Sequence, residues 1–103
     1  MASGTLGQAA LSATTNTTVY TVPASKTATF IVSICNRSGT ETTVRLAIAA
    51  AATPTNAEWI EYDAVLVGNG VIERTGIVAS AAKRLVVYAG AATVSANVYG
   101  YEE

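Results

Sequence analysis

Four carboxylates are the residues of this chain most suited to chemistry: Glu58, Glu61 and Asp63 within six positions, and Glu73 ten further on. If the segment around them is extended, Glu61 and Asp63 are two apart and share one strand face. There they could hold a hard cation or act as an acid and base on a sugar. Trp59 has the same parity, and an aromatic ring beside carboxylates is a possible carbohydrate platform. The plainer reading is a polar outer face whose acids pair across strands with Arg74 or Arg45. Trp59 then packs under a loop or at a subunit contact. The chain contains no histidine and one cysteine, which removes the usual general base, the usual triad and most transition-metal sites. Cys35 lies in an apolar strand, where a free thiol behaves as a small hydrophobe. Gly68-Asn69-Gly70 is followed by neither Lys-Ser/Thr nor a helix, so it reads as a turn and not as a phosphate loop. We expect no catalytic residue, no cofactor and no metal, and we expect that the protein is not an enzyme.

The elements that would position these residues are strands. Thr27–Asn36 alternates, with Phe30, Val32 and Ile34 on one parity, and Thr42–Ala49 does the same with Val44, Leu46 and Ile48. Arg37-Ser38-Gly39-Thr40 joins them, and the two segments read as a β-hairpin. Upstream, Thr18–Val22 is a short strand closed by the turn Pro23-Ala24-Ser25-Lys26. Downstream, the four alanines at 49–52 are too few for a helix and end at Pro54, so they read as a strand end and loop. Glu58–Leu66 resumes alternation, with Ile60, Tyr62, Ala64 and Leu66 opposite Trp59, Glu61 and Asp63. Val71–Val78, Lys83–Ala89 and Thr93–Tyr101 follow. In the last of these, Val94, Ala96 and Val98 oppose Ser95, Asn97, Tyr99 and Tyr101.

These strands recur about every ten residues. The expected fold is all-β: a single antiparallel β-sandwich of seven strands, or eight if the N-terminal segment pairs, jelly-roll or immunoglobulin-like. Residues 17–103 form its domain. Residues 1–16 are small and polar apart from Leu6 and Leu11, and read as an extended arm outside the core. The expected core is Phe30, Val32, Ile34, Val44, Leu46, Ile48, Leu85, Val87, Val94 and Val98.

Composition narrows the function classes. At 103 residues there is room for one domain. Half of the residues are hydrophobic and 13% are charged, with 20 Ala, 15 Thr and 12 Val. Such a chain fills a core but has little charge for a wholly exposed surface, which suggests that other subunits cover part of it. A net charge of −1 gives no basic footprint for nucleic acid or anionic lipid. No apolar run approaches the ~20 residues of a membrane-spanning helix, so neither nucleic acid nor membrane is an expected partner. The N-terminus lacks the basic and apolar regions of a secretory signal, and synthesis and assembly in a cytoplasm are expected.

Four stretches also carry a resemblance: Leu6-Gly7-Gln8-Ala9-Ala10, Val19-Tyr20-Thr21-Val22-Pro23-Ala24, Ile34-Cys35-Asn36-Arg37, and the last strand ending Val98-Tyr99-Gly100-Tyr101-Glu102. In this order they resemble small structural proteins encoded by tailed bacteriophages, in which an LGQ stretch, a YTVPA segment and a CNR strand end recur. The resemblance implies a virion component made in the host cytoplasm, a capsid decoration (cement) protein ahead of a tail, baseplate or fibre module. It implies a β-sandwich working as a homo-oligomer, often a trimer, on other virion proteins such as the major capsid protein. It supplies no catalytic residue. Leu6, Leu11, Trp59, Tyr99 and Tyr101 are the expected subunit contacts. The alternative from another class is a carbohydrate-binding module with Trp59, Tyr99 and Tyr101 as its platform.

Overall fold

The computed structural model describes residues 3–103. Eight strands follow one another: β1 (Ser3–Ala10), β2 (Thr17–Thr21), β3 (Ala28–Asn36), β4 (Thr42–Ala49), β5 (Trp59–Leu66), β6 (Val71–Ala79), β7 (Arg84–Ala89) and β8 (Val94–Glu102), with a 3-10 turn at Asn56–Glu58 before β5. They form two four-stranded sheets, one ordered β1-β8-β3-β6 and the other β2-β7-β4-β5. Every strand pairing is antiparallel. The chain is therefore all-β and built as a two-sheet sandwich.

The alternation found in the sequence sets which side chains lie between the sheets. In β3, Phe30, Val32 and Ile34 are almost completely buried, and Val44 and Leu46 of β4 meet them from the other sheet. Leu85, Val87, Val94 and Val98 complete the expected set in the core. Ile48 packs against the same cluster but stays half-buried near the end of β4. The core also takes in Leu11, Tyr20, Val22 and Leu66.

The expected hairpin between the second and third segments does not form. β3 pairs with β8 and β6, whereas β4 pairs with β7 and β5. Residues 37–41 carry the chain from one sheet to the other, and a buried Asn36 makes this corner. Its side-chain nitrogen donates to the Thr40 carbonyl at 2.8 Å, and its side-chain oxygen accepts from the Ser38 N–H and the Thr93 hydroxyl, both at 3.1 Å. The Arg37 N–H bonds to the Thr93 carbonyl and the Asn36 N–H to the Gly70 carbonyl. One asparagine thus ties together three loops at one end of the sandwich, and its polar atoms are satisfied despite burial. Only β4 and β5 are both sequential and adjacent; every other connection crosses between sheets.

The expected arm is a strand of the sandwich. Residues 3–10 form β1, which pairs with β8 from Ser3–Tyr101 to Ala10–Ser95. Met1 and Ala2, the first residues of that expected arm, lie outside the described residues. Leu11 is 2% exposed within the core and its N–H bonds to the Val94 carbonyl. Leu6 packs on the same cluster. Gly7 faces β2 so closely that a methyl group there would run into the Val19 carbonyl. The small residues read as a free segment are those that an edge strand needs where the two sheets close on each other.

The two sheets are also joined by a buried polar pair. The Tyr20 hydroxyl on β2 donates to the Glu102 carboxylate on β8 at 2.6 Å, and the Tyr20 ring meets Phe30 edge-on, with centroids 5.7 Å apart. Burial first, then the bond to Glu102, pushes the phenol pKa well above its ordinary value of about 10. A raised pKa favours the neutral phenol in the folded state. Its contribution is complete below about pH 10 and is lost as pH rises through the folded value. Tyr20→Phe is expected to cost about 1–3 kcal/mol near neutral pH, because it leaves a buried carboxylate without its donor. Denaturant midpoints against pH should also fall less steeply for the variant than for the wild type above about pH 10.

Candidate functional site: two aromatic surfaces on opposite faces

The four carboxylates do not converge. Glu58 closes the loop before β5, its two oxygens accepting from the N–H groups of Thr55 at 2.8 Å and Ala50 at 3.0 Å. Those bonds, Thr55 first, hold its carboxyl below the usual range. Glu61 pairs with Arg74 across the gap between the sheets. Asp63 binds Arg45 through both oxygens, at 2.7 and 3.3 Å. Glu73 accepts from the Tyr99 hydroxyl at 3.1 Å. Each acid has its own partner, and no two share a ligand position.

Glu61 and Asp63 part company because β5 is bulged twice. Its register against β4 shifts between Val44 and Leu46 and again between Leu46 and Ala47, and Asp63 sits at φ 53°, a left-handed conformation that Asp tolerates better than most residues. Glu61 lies opposite the fully buried Leu46, on the inner side, as do Ala64 opposite Val44 and the buried Leu66. Trp59 lies opposite Ala47, on the outer side. Tyr62, which simple alternation sets on the face opposite Trp59 and Asp63, is 57% exposed.

The bulges assemble an aromatic cluster on the outer face of the β2-β7-β4-β5 sheet. Trp59 covers Ala47, Ala49 and Val86, all fully buried beneath it although they face away from the main core. Tyr62 meets Trp59 edge-on at 5.2 Å. The Arg45 guanidinium lies between two rings, 4.2 Å from the Tyr62 centroid and 4.4 Å from that of Tyr88. Two cation–π contacts and a two-point carboxylate bond hold the arginine in one pose. Fixed Trp, Tyr and Arg side chains are the types that dominate binding hot spots.

A second surface lies on the outer face of the other sheet. Tyr99 stands opposite Ile31, and Tyr101 opposite Thr29. Together with Thr75 and Gly76 they line an open, mostly apolar groove of about 360 Å³. Gly76 has φ 68°, in a stretch where the β3–β6 register shifts between Phe30 and Val32. Val78, 64% exposed, extends the apolar strip beside Thr29. The bond to Glu73 fixes the Tyr99 ring and raises its phenol pKa.

Of the expected contact residues, Trp59 therefore lies on one face, Tyr99 and Tyr101 on the opposite face, and Leu6 and Leu11 pack within the chain itself. Trp59, Tyr99 and Tyr101 cannot form one platform. Arg45, expected across the strands from the acids on the face of Trp59, pairs there with Asp63; Tyr62 and Tyr88 are the residues that sequence reasoning did not place beside Trp59. The available signal was Asp63, a poor strand former inside an alternating segment, which marks the bulge that turns Tyr62 outward. No family model, curated protein or solved structure matches this chain.

Proposed function

We propose that this protein is a virion structural subunit: a jelly-roll sandwich that decorates a capsid, working as a homo-oligomer against the major capsid protein. The strand pairing carries this reading. β1 pairs with β8, β2 with β7, β3 with β6 and β4 with β5, and the β8–β3 and β7–β4 pairings then close the two sheets. This is one long antiparallel ribbon rolled over on itself, the two-sheet, eight-stranded arrangement used by viral capsid and lectin domains. The surfaces support it too. A subunit that joins neighbours needs adhesive patches facing different ways, and the Trp59 cluster and the Tyr99–Tyr101 groove point in opposite directions. Many modest contacts, summed over a particle, would resist the outward pressure of packed DNA. The phage resemblance points the same way and adds a threefold assembly.

The Trp59–Tyr62 corner favours one further reading, a glycan-binding module, since jelly rolls also serve lectins and a sugar ring can stack on an exposed aromatic. The test combines quantitative mass spectrometry of purified particles with glycan binding by the isolated protein. The structural reading expects tens to hundreds of copies per particle, on the order of the shell subunits that such a protein covers. Absence from particles together with saturable glycan binding lost in Trp59→Ala would replace it with the lectin reading. A few copies per particle would move it to the tail or fibre.

A further inference from the structure

The two long sides of the sandwich are unlike. On one side the edge strands are β5 and β6, and they carry what natural edges use against unwanted pairing. β5 has two register shifts, β6 has one, and the charged side chains Glu61, Asp63, Glu73 and Arg74 lie along them, with Glu61 and Arg74 turned toward each other between the sheets. On the other side the edge strands are β1 and β2, and residues 1–25 contain no charged side chain at all. β2 is five residues long and interrupted by a shift between Thr18 and Tyr20. β1 has one shift, between Thr5 and Gly7, beyond which Gly7, Gln8, Ala9 and Ala10 run straight against Val98, Asn97, Ala96 and Ser95. Among the described residues, their other edge has no strand beside it.

We propose that the free edge of β1 is a docking site for β1 of a second copy, which pairs antiparallel about a two-fold axis and joins two four-stranded sheets into one of eight. Charge selects this occupant. A two-fold contact lays the strand against a copy of itself, residue i beside j and j beside i, so a strand carrying one sign of charge would repel itself, and β1 is the long edge strand without charge. The backbone supplies the affinity, since the unpaired N–H and C=O groups of Gly7–Ala10 find partners of the same kind. Gln8 and Ala10, both exposed, lie along the seam on the outer face. The inference stands apart from the particle assignment, because it concerns the protein alone in solution.

Sedimentation over a range of concentrations tests it with the full chain and two double variants, Q8K/A10K and Q8E/A10E. The wild type is expected to dimerise. Each double variant is expected to sediment as a monomer, with its dimer dissociation constant raised at least about tenfold, and a mixture of the two is expected to dimerise again through opposite charges. Circular dichroism of each variant checks that the sandwich is intact, and Val71→Lys, exposed on β6 at the opposite edge of the sheet and outside the Tyr99–Tyr101 groove, is the control that leaves the dimer unchanged. A wild type that stays monomeric at all concentrations, or an oligomer indifferent to the β1 charges, overturns the proposal. So does a mixture that stays monomeric although both variants are folded.

Discussion

Deleting residues 2–12 is expected to abolish cooperative folding. The segment removed is β1 together with Leu11, and three separate losses add. Leu11 is buried in the core and its N–H is bonded to Val94, so removing it opens a cavity worth about 2–5 kcal/mol. Leu6 and Ala9 go with it and leave bare the part of the cluster they cover. β8 then becomes an edge strand along its whole length, with its pairing from Ser95 to Tyr101 undone on one side. Against a typical stability of about 5–15 kcal/mol for a domain, these losses account for most of what is available. The measurement is a urea transition followed by circular dichroism, in which the truncated protein should show no cooperative step. A truncated chain that unfolds within about 1 kcal/mol of the wild type would restore the reading of residues 1–16 as an independent arm. Because truncation removes the fold, it cannot test assembly. Point charges on β1, which leave β8 paired, are the variants that separate folding from association.

The existence of the strands was legible to within a residue or two. Thr42–Ala49 coincides with β4, and Thr27–Asn36 exceeds β3 by a single residue. Alternation reports that one face of a segment is buried, and this is a property of the strand alone. The partner of a strand is set elsewhere. Residues 37–41 look like a hairpin connection, and only the bonds made by buried Asn36 to Thr40, Ser38 and Thr93 show why the chain turns a corner into the other sheet. The faces of β5 were misread for a different reason, since a bulge inserts one residue and inverts every parity beyond it. Two bulges therefore put Trp59 and Tyr62, three positions apart, on one surface, and separated Glu61 from Asp63. β1 reads in the sequence as an arm, with pairing as an eighth strand only an alternative, because its glycines and alanines carry little hydrophobic signal. Their smallness is itself structural, as the approach of Gly7 to the Val19 carbonyl requires.

Leu46→Ala is expected to cost about 2–5 kcal/mol, the usual range for removing a large side chain from a core that cannot collapse around the gap. Leu46 is fully buried on the inner face of β4, which has neighbours on both sides: Val87 of β7 is its partner across one ladder and Glu61 of β5 across the other. The opposing sheet contributes Phe30, Val32 and Ile34 to the same cluster. Strand β4 is therefore pinned from both edges and cannot shift to fill the space. Ile48, two residues on, shares the parity but is half-buried, so Ile48→Ala should cost clearly less, with part of its area already in water. The pair of variants separates burial from mere alternation: both positions satisfy the period of two, and only Leu46 lies where the sheets meet. Reversible urea denaturation of both variants decides it. A loss below about 1 kcal/mol for Leu46→Ala, or equal losses at both sites, would mean that the inner face of β4 lies elsewhere.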